Sequence, residues 1–250
     1  MPLVPDNLHW IPADWPAPEH IHAGTTTRIG GFSHGTYTAM NLATHTGDNA
    51  EHVFRNRLLL RELLSLPAEP LWLEQIHSNK VINLAAGHIN QPADGAYTNQ
   101  QNQICVVLTA DCLPLLLCNT AGTEIAAIHI GWRGFSNNII TNALNTFSVK
   151  PQDLLAWTGP CISANHYEVG EGVRTACLQV IDDPGVGFIP GRPGHWFADM
   201  QQLVRHQLLS AGIKEIYGGE YCTYTGLQHF YSYRRDGITG RIASLIWMHT

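Results

Sequence analysis

The sequence predicts a mixed α/β layer fold in one domain spanning residues 1–250. Three observations carry this. Apolar runs of strand length alternate along the chain with stretches of helical spacing, the pattern of sheets covered by helices. At 250 residues and 44% hydrophobic, the chain can bury a sizeable core yet stays within the length of one α/β domain. No internal repeat, linker or low-complexity stretch divides it.

The elements follow in order. The Pro-rich first 20 residues, with Trp10 and Trp15, read as an irregular arm or a short edge strand. TTTRIGGFSHGTYTAMN (25–41), rich in Gly and hydroxyls, reads as a loop. Asn49 can cap a helix over 50–64, where Val53, Phe54, Leu58, Leu59 and Leu63 form an apolar stripe and Pro67 lies just beyond. LWLEQIHSNKVINLA (71–85) mixes apolar and polar residues at strand-like spacing. ICVVLTADCLPLLLC (104–118) holds two apolar runs split by Thr109-Ala110-Asp111-Cys112. TEIAAIHIGWRG (123–134) reads as a buried strand entering a Gly-bounded turn. Over 135–147, Phe135, Ile139, Ile140, Ala143, Leu144 and Phe147 share one helical side. AWTGPCI is a further strand and turn, and 171–182 and 197–211 read as helices. FYSYRRDGITGRIASLIWM (230–248) reads as two strands around a tight turn at Asp236-Gly237.

Composition removes several function classes. With a net charge of −6 and three lysines, the chain lacks the basic stripe that duplex binding needs, so no nucleic-acid partner is expected. No apolar run approaches the roughly 18 residues of a membrane span. The start lacks the basic and apolar regions of a secretory signal, so a cytoplasmic location is expected. Six cysteines without a CxxC pair read mainly as buried thiols. No GxGxxG or GxxxxGK[ST] marks a dinucleotide or P-loop site, and Ser33 and Ser136 lack a GxSxG context. A monomer acting on a small-molecule substrate is expected.

Three polar residues stand where core strands should not carry them: His77 ending an apolar stretch, Cys112 at the break between two apolar runs, and His129 near the end of IAAIHIGW. Imidazole and thiolate are preferred zinc donors, and three protein ligands with a water describe an open catalytic site. Such a metal supplies an acidified water or polarises a carbonyl. The long spacings match no zinc-finger or HExxH rule. On pattern alone, a satisfied core histidine and a buried thiol explain these residues better. Asp111, beside Cys112, is a candidate proton carrier or a cap on its turn. Gly131-Trp132-Arg133-Gly134 precedes the helical stretch; free N–H groups and the Arg133 fork there suit an anion, and a packing turn with a solvent-facing Arg fits equally. Arg234, Arg235 and Arg241 form a second basic cluster, which can bind an anionic substrate or hold Asp236 in a structural network. The loop before the first helix offers Arg28, Asn41, His45 and Asp48.

At these residues the chain resembles a known family. TADCLPLLL followed by AAIHIGWRG is similar to the signature of the YfiH-like proteins, also called the multicopper polyphenol oxidoreductase-like or laccase-domain family. TRIGGFSHGTY…MNLATHTGDN, NRLLL, EQIHSNKV, TGPCIS…YEVG and SYRRDGITGRIASLIW extend the likeness over nearly the whole chain, in the family's order. Small departures lie at Ser78, where Gly is common, and at Cys161-Ile162-Ser163.

The resemblance implies a three-layer α/β/α sandwich with a mixed sheet, and a metal held by two His and one Cys, carried onto His77, Cys112 and His129. It implies action on purine nucleosides: phosphorolysis of adenosine, inosine and guanosine, and deamination of adenosine. Zinc is the expected metal and copper the alternative. Arg28, Asn41, Arg133, Arg234, Arg235 and Arg241 become the expected substrate-binding residues, with phosphate as co-substrate. Two further readings attach to the family. In one, Cys112 is the nucleophile of an amide hydrolase, with His129 as base, that edits peptidoglycan precursors. In the other, ranked last, the protein is a copper polyphenol oxidase; laccase chemistry wants several coppers, many His ligands and a weak axial ligand, and the chain holds only four methionines.

Overall fold

A computed structural model describes residues 9–86 and 92–249; residues 1–8 of the expected arm lie outside them. β1 (Trp10–Pro12) is a short edge strand antiparallel to β2 (Ile21–Thr26), so the arm becomes strand where it meets a partner. After the Gly-rich loop, α1 (Ala50–Leu63) starts at Asn49, whose side chain accepts from Glu51 N–H at 2.8 Å. Its buried face is Val53, Asn56 and Leu60, whereas Phe54, Leu58 and Leu63 of the expected stripe are exposed. Asn56 sets this rotation. Its Oδ1 accepts from Phe32 N–H, and its Nδ2 donates to Ser33 Oγ and to the Ala39 and Asn41 carbonyls.

The expected strand over 71–85 shrinks to β3 (Val81–Asn83). Upstream, His77 takes a left-handed φ of 59°, and the N–H groups of Ile76, His77 and Ser78 turn to the Asp94 carboxylate instead of a neighbouring strand. β4 (Gly95–Thr98), β5 (Ile104–Thr109), β6 (Leu113–Asn119) and β7 (Ile125–Ile130) follow, with the polar break falling between β5 and β6 as expected. The single helix expected over 135–147 is two, α2 (Trp132–Ser136) and α3 (Ile139–Leu144). Asn138, left-handed at φ 65°, breaks it. Next come β8 (Leu154–Thr158), β9 (Glu168–Gly170), α4 (Glu171–Leu178), β10 (Phe188–Pro190), β11 (His195–Ala198), α5 (Met200–Ala211) and β12 (Glu215–Gly218). The expected C-terminal hairpin loses its first strand. Ser232 accepts from Arg235 N–H and caps a single turn, α6 (Tyr233–Asp236), before β13 (Ile242–Met248).

The strands form three sheets. One is four-stranded and antiparallel, in the order β1-β2-β13-β5. A six-stranded mixed sheet, β12-β8-β6-β7-β4-β3, is parallel at both ends and antiparallel between. β10-β11-β9 is a small antiparallel sheet. The first two face each other across Ala23, Cys105, Val107 and Ile246 on one side and Leu116, Cys118, Ala127 and Trp157 on the other. The outer face of the six-stranded sheet, through Leu115, Leu117 and Ile128, buries against Phe135, Ile139, Leu203 and Leu208. Val106, Leu108 and Leu245 pack outward with Leu42, Leu60 and Leu66. Helices thus flank β structure on both sides, as the α/β sandwich expectation has it, and the β layer is two sheets thick.

This explains the near-continuous apolar runs. β6 is buried on both faces, so LPLLLC need not alternate. Each fully buried leucine there contributes on the order of 1.5–3 kcal/mol. Among the described residues no helix is long and apolar enough to cross a membrane. One consequence bears on function: β5 and β6 belong to different sheets, so Ala110-Asp111-Cys112 is the corner where the chain changes sheet.

Candidate metal centre

Three donor atoms, one each from His77, Cys112 and His129, lie within 4.8 Å of one another. They come from three unlike supports. Cys112 leaves the sheet corner, where Asp111 holds a left-handed φ of 93°. His129 sits in β7 opposite Pro114. His77 rides the irregular segment before β3, which Gln75 ties to the end of β5 by two hydrogen bonds with the Leu108 backbone, at 2.7 and 2.8 Å. Cys112 Sγ lies 3.9 Å from His77 Nε2, and the two imidazoles meet edge to face with centroids 4.8 Å apart. His129 is buried, Cys112 half-buried and His77 exposed.

Asp94, absent from the sequence-based candidates, is fully buried beneath this group. Its carboxylate meets His129 Nδ1 at 2.8 Å and accepts from His77 N–H at 2.9 Å and Ser78 N–H at 2.6 Å. Burial alone would raise its pKa, but the hydrogen bonds from His129 and Ser78 outweigh that and hold it below the usual carboxylate value. With Nδ1 bonded to a carboxylate, His129 turns Nε2 toward Cys112 and His77. Two imidazoles and a thiol, one imidazole backed by a carboxylate, suit a metal such as zinc in an open three-ligand site. Gly131 leaves room for them: a Cβ there would lie 2.8 Å from His77 Cδ2 and 3.2 Å from Cys112 Sγ.

The protonation of the group follows from the same contacts. Burial alone would raise the Cys112 thiol, but His129 and then His77 outweigh it and bring it down to about 6. Burial alone would lower His129; the Cys112 thiolate and Asp94 overcome it and lift the imidazole to about 9. By contrast, burial pushes Cys105, Cys118, Cys161 and Cys177 up. The thiolate is the nucleophile, so its reactivity persists down through pH 7 and fades as pH drops through about 6. In metal-free protein, iodoacetamide at pH 7 is expected to label Cys112 well ahead of those four, as read by peptide mass spectrometry. Equal labelling of all five rejects the assignment.

A cleft of about 490 Å³ opens over the group, within the ~300–1,000 Å³ usual for small-molecule sites. Arg133, Arg234 and Arg241 line it, with Trp132, Tyr167 and Tyr233 as its aromatic walls. Arg133 stacks on Trp132, 4.5 Å from the ring centroid, and Arg234 donates to the Glu168 carbonyl at 2.8 Å. Burial draws the Arg241 pKa down.

Other expected site residues are committed elsewhere. Arg28 donates to the Thr38 and Leu227 carbonyls and covers the Tyr231 ring. Asn41, fully buried, donates to Asp48 and accepts from Ala43 N–H and Arg241 N–H. Both hold the Gly-rich loop in shape and neither lines the cleft, because backbone carbonyls and loop amides use up their polar atoms. Arg235 pairs with Asp236 and donates to the Thr223, Tyr224 and Phe230 carbonyls, the structural alternative for that cluster. Asp111 lines the cleft, but its two carboxylate oxygens accept from Thr223 Oγ1 and Arg234 N–H, each at 2.7 Å. Trp132, Arg133 and Gly134 form the first turn of the five-residue α2, with Gly131 as its N-cap, so the turn opens the helix rather than preceding it. His45 does reach the cleft; burial, then Arg241 and Arg57, lower its pKa and keep it neutral at pH 7. Tyr167 and Gln75 are cleft residues that sequence patterning missed.

Comparison with known proteins shows the family. The chain is 43% identical over 239 residues to purine nucleoside phosphorylase YfiH of Escherichia coli (strain K12), covering 95% of this chain and 98% of the relative. It is 43% identical, over the same shares, to a purine nucleoside phosphorylase of Haemophilus influenzae. Among solved structures, protein NMB0706 of Neisseria meningitidis superposes with a TM-score of 0.92 at 42% identity, covering 97% of this chain and all of that one. YlmD of Geobacillus stearothermophilus gives 0.90 at 27% identity, covering 98% of this chain and all of that one. The family described as multi-copper polyphenol oxidoreductase laccase matches residues 22–249, and the chain belongs to it.

Proposed function

We propose that this chain is a zinc-dependent purine nucleoside enzyme that phosphorolyses adenosine, inosine and guanosine and deaminates adenosine. The observation that carries the reading is the opening of a His₂Cys donor group into a cleft lined by three arginines. The names of the relatives support the phosphorolytic half. Residues 1–250 act as one catalytic domain, monomeric and cytoplasmic.

His77, Cys112 and His129 would hold the zinc, which would supply Lewis acidity in the cleft. The remaining steps belong to the chain. In phosphorolysis a phosphate oxygen bonds to ribose C1′, the C1′–N9 bond breaks, and its electron pair leaves with the purine, which takes up a proton. Arg133, Arg234 and Arg241 hold the phosphate and offset its charge as the bond forms. Trp132 and Tyr167 provide apolar faces for the base. Burial keeps the Tyr167 phenol protonated, a neutral donor toward the leaving purine. His45, kept neutral, can accept a proton. Asp111, with both oxygens bonded, positions the corner that carries Cys112. Among the described residues a single group gathers three or more metal-type donors, which favours one ion over the several coppers of a laccase.

Zinc-loaded protein given adenosine and phosphate is expected to yield adenine and ribose 1-phosphate, and adenosine alone to yield inosine. No product from any purine nucleoside overturns the reading. Arg133→Ala is expected to raise the KM for phosphate about 10–100-fold, as loss of a charge-assisted contact worth ~1.5–3 kcal/mol predicts. The KM for nucleoside should move little. An equal rise in both contradicts the phosphate role.

A further inference from the structure

We infer that Asp94 is the positioning residue of this centre, setting both histidines with one carboxylate so that the metal site exists before the metal arrives. The inference rests on the zinc reading above. Its grounds are an unusual concentration of bonds on one fully buried side chain. Oδ1 is shared between the two candidate ligands: it accepts from His77 N–H at 2.9 Å and meets His129 Nδ1 at 2.8 Å. Oδ2 accepts from Ile76 N–H at 3.2 Å, Ser78 N–H at 2.6 Å and Ser78 Oγ at 2.7 Å. The Asp94 main chain adds to this. Its carbonyl accepts from His129 N–H at 2.7 Å, and its N–H donates to the Lys80 carbonyl at 3.0 Å.

The two histidines are held in different ways. For His129, a carboxylate on Nδ1 fixes the ring with Nε2 toward the site, the nitrogen that gives up its proton when a metal binds. For His77 the hold is on the backbone. Three successive N–H groups converge on the carboxylate and keep residue 77 at its left-handed φ of 59°, a conformation a non-glycine residue rarely adopts unaided. Asp94 does not line the cleft, so it acts through the ligands and not on substrate.

Asn in place of Asp keeps the size and breaks the logic. An amide offers one oxygen and one NH₂ group. Placed at the Oδ1 position, the NH₂ opposes His77 N–H and donates to His129 Nδ1, which drives the imidazole proton to Nε2 and onto the metal-facing atom. Placed at the Oδ2 position, it opposes the Ile76 and Ser78 N–H groups and releases the segment that presents His77. Neither orientation satisfies both histidines.

The test measures zinc affinity by chelator competition, and the absorption spectrum of the cobalt(II)-substituted protein, for wild type and Asp94→Asn. Asp94→Asn is expected to bind zinc 10–100-fold more weakly, with altered cobalt absorption reporting a changed ligand geometry. Wild-type affinity with an unchanged cobalt spectrum overturns the inference, as does a lowered melting temperature with affinity and spectrum intact, which marks a merely structural role. If Asp94→Asn fails to fold, Ser78→Ala, which removes one bond to Oδ2, is the second variant. A roughly threefold loss of zinc affinity is expected there, and no loss overturns the inference. A wild-type protein that takes up neither zinc nor cobalt fails the zinc reading itself, and the inference falls with it. Wild-type uptake matched by Asp94→Asn fails the inference alone.

Discussion

Cys112→Ala is expected to leave the protein folded, strip it of bound zinc and lower turnover by at least on the order of 10²-fold. The magnitude follows from position: loss of an outer partner of a metal ligand already costs about 10–100-fold, and a ligand lost directly should exceed that. Folding should survive because Cys112 is a half-buried corner residue, and its neighbours Asp111 and Leu113 keep the bonds that turn the chain. Metal content by mass spectrometry and turnover on adenosine with phosphate are the two readouts. Cys112→Ser separates the competing chemistry, since the low Cys112 pKa and the adjacent imidazole also suit a cysteine nucleophile. If zinc and activity fall together, the thiolate is a ligand. If activity vanishes while zinc stays bound in full, the amide-hydrolase reading replaces the one proposed.

Gly131→Ala is the second large effect, and it tests space rather than chemistry. Gly131 sits at φ −86° and ψ 166°, an extended conformation open to any residue, so backbone strain plays no part. The added methyl would stand 2.8 Å from His77 Cδ2, closer than carbon atoms tolerate, and 3.2 Å from Cys112 Sγ. His77 is exposed and yields first. Its ring then leaves the site while the sheets stay intact. The expected outcome is zinc affinity at least tenfold lower and kcat down on the order of 10²-fold, since an ångström of misplacement carries costs of that size. The melting temperature of metal-free protein should hold or rise slightly, because Ala narrows the unfolded ensemble. Full zinc binding and full activity would show that the close approach of Gly131 is incidental.

Much of this was legible in the sequence, for identifiable reasons. Two apolar runs split by Thr-Ala-Asp-Cys announced β5, the corner and β6, because a strand buried on both faces needs no polar alternation. Asn49 marked the start of α1 because its cap is a local bond, two residues long. The three candidate ligands stood out as polar residues at strand ends. Features made by distant contacts were not legible. Asp94 reads as an ordinary acid before a strand until residues 76–78 fold back on it. Arg28 and Asn41 looked like substrate binders by type; the carbonyls and amides that occupy them belong to loops whose path the sequence does not spell out. The strand expected over 71–85 failed for the same cause, since its backbone donors found a carboxylate in place of a ladder. The apolar stripe of α1 misled because Asn56, a polar residue, had the better reason to face inward.

The unequal supports of the three donors carry a kinetic meaning. His129 belongs to a strand paired on both sides, and Cys112 to the corner joining two packed sheets. Neither can swing away without breaking the sandwich. His77 alone is exposed and mounted on irregular chain. The hold on His77 is the set of backbone bonds from residues 76–78 to Asp94. An ion leaves when those bonds break and the His77 ring turns outward, so substitutions that weaken them shorten how long an ion stays.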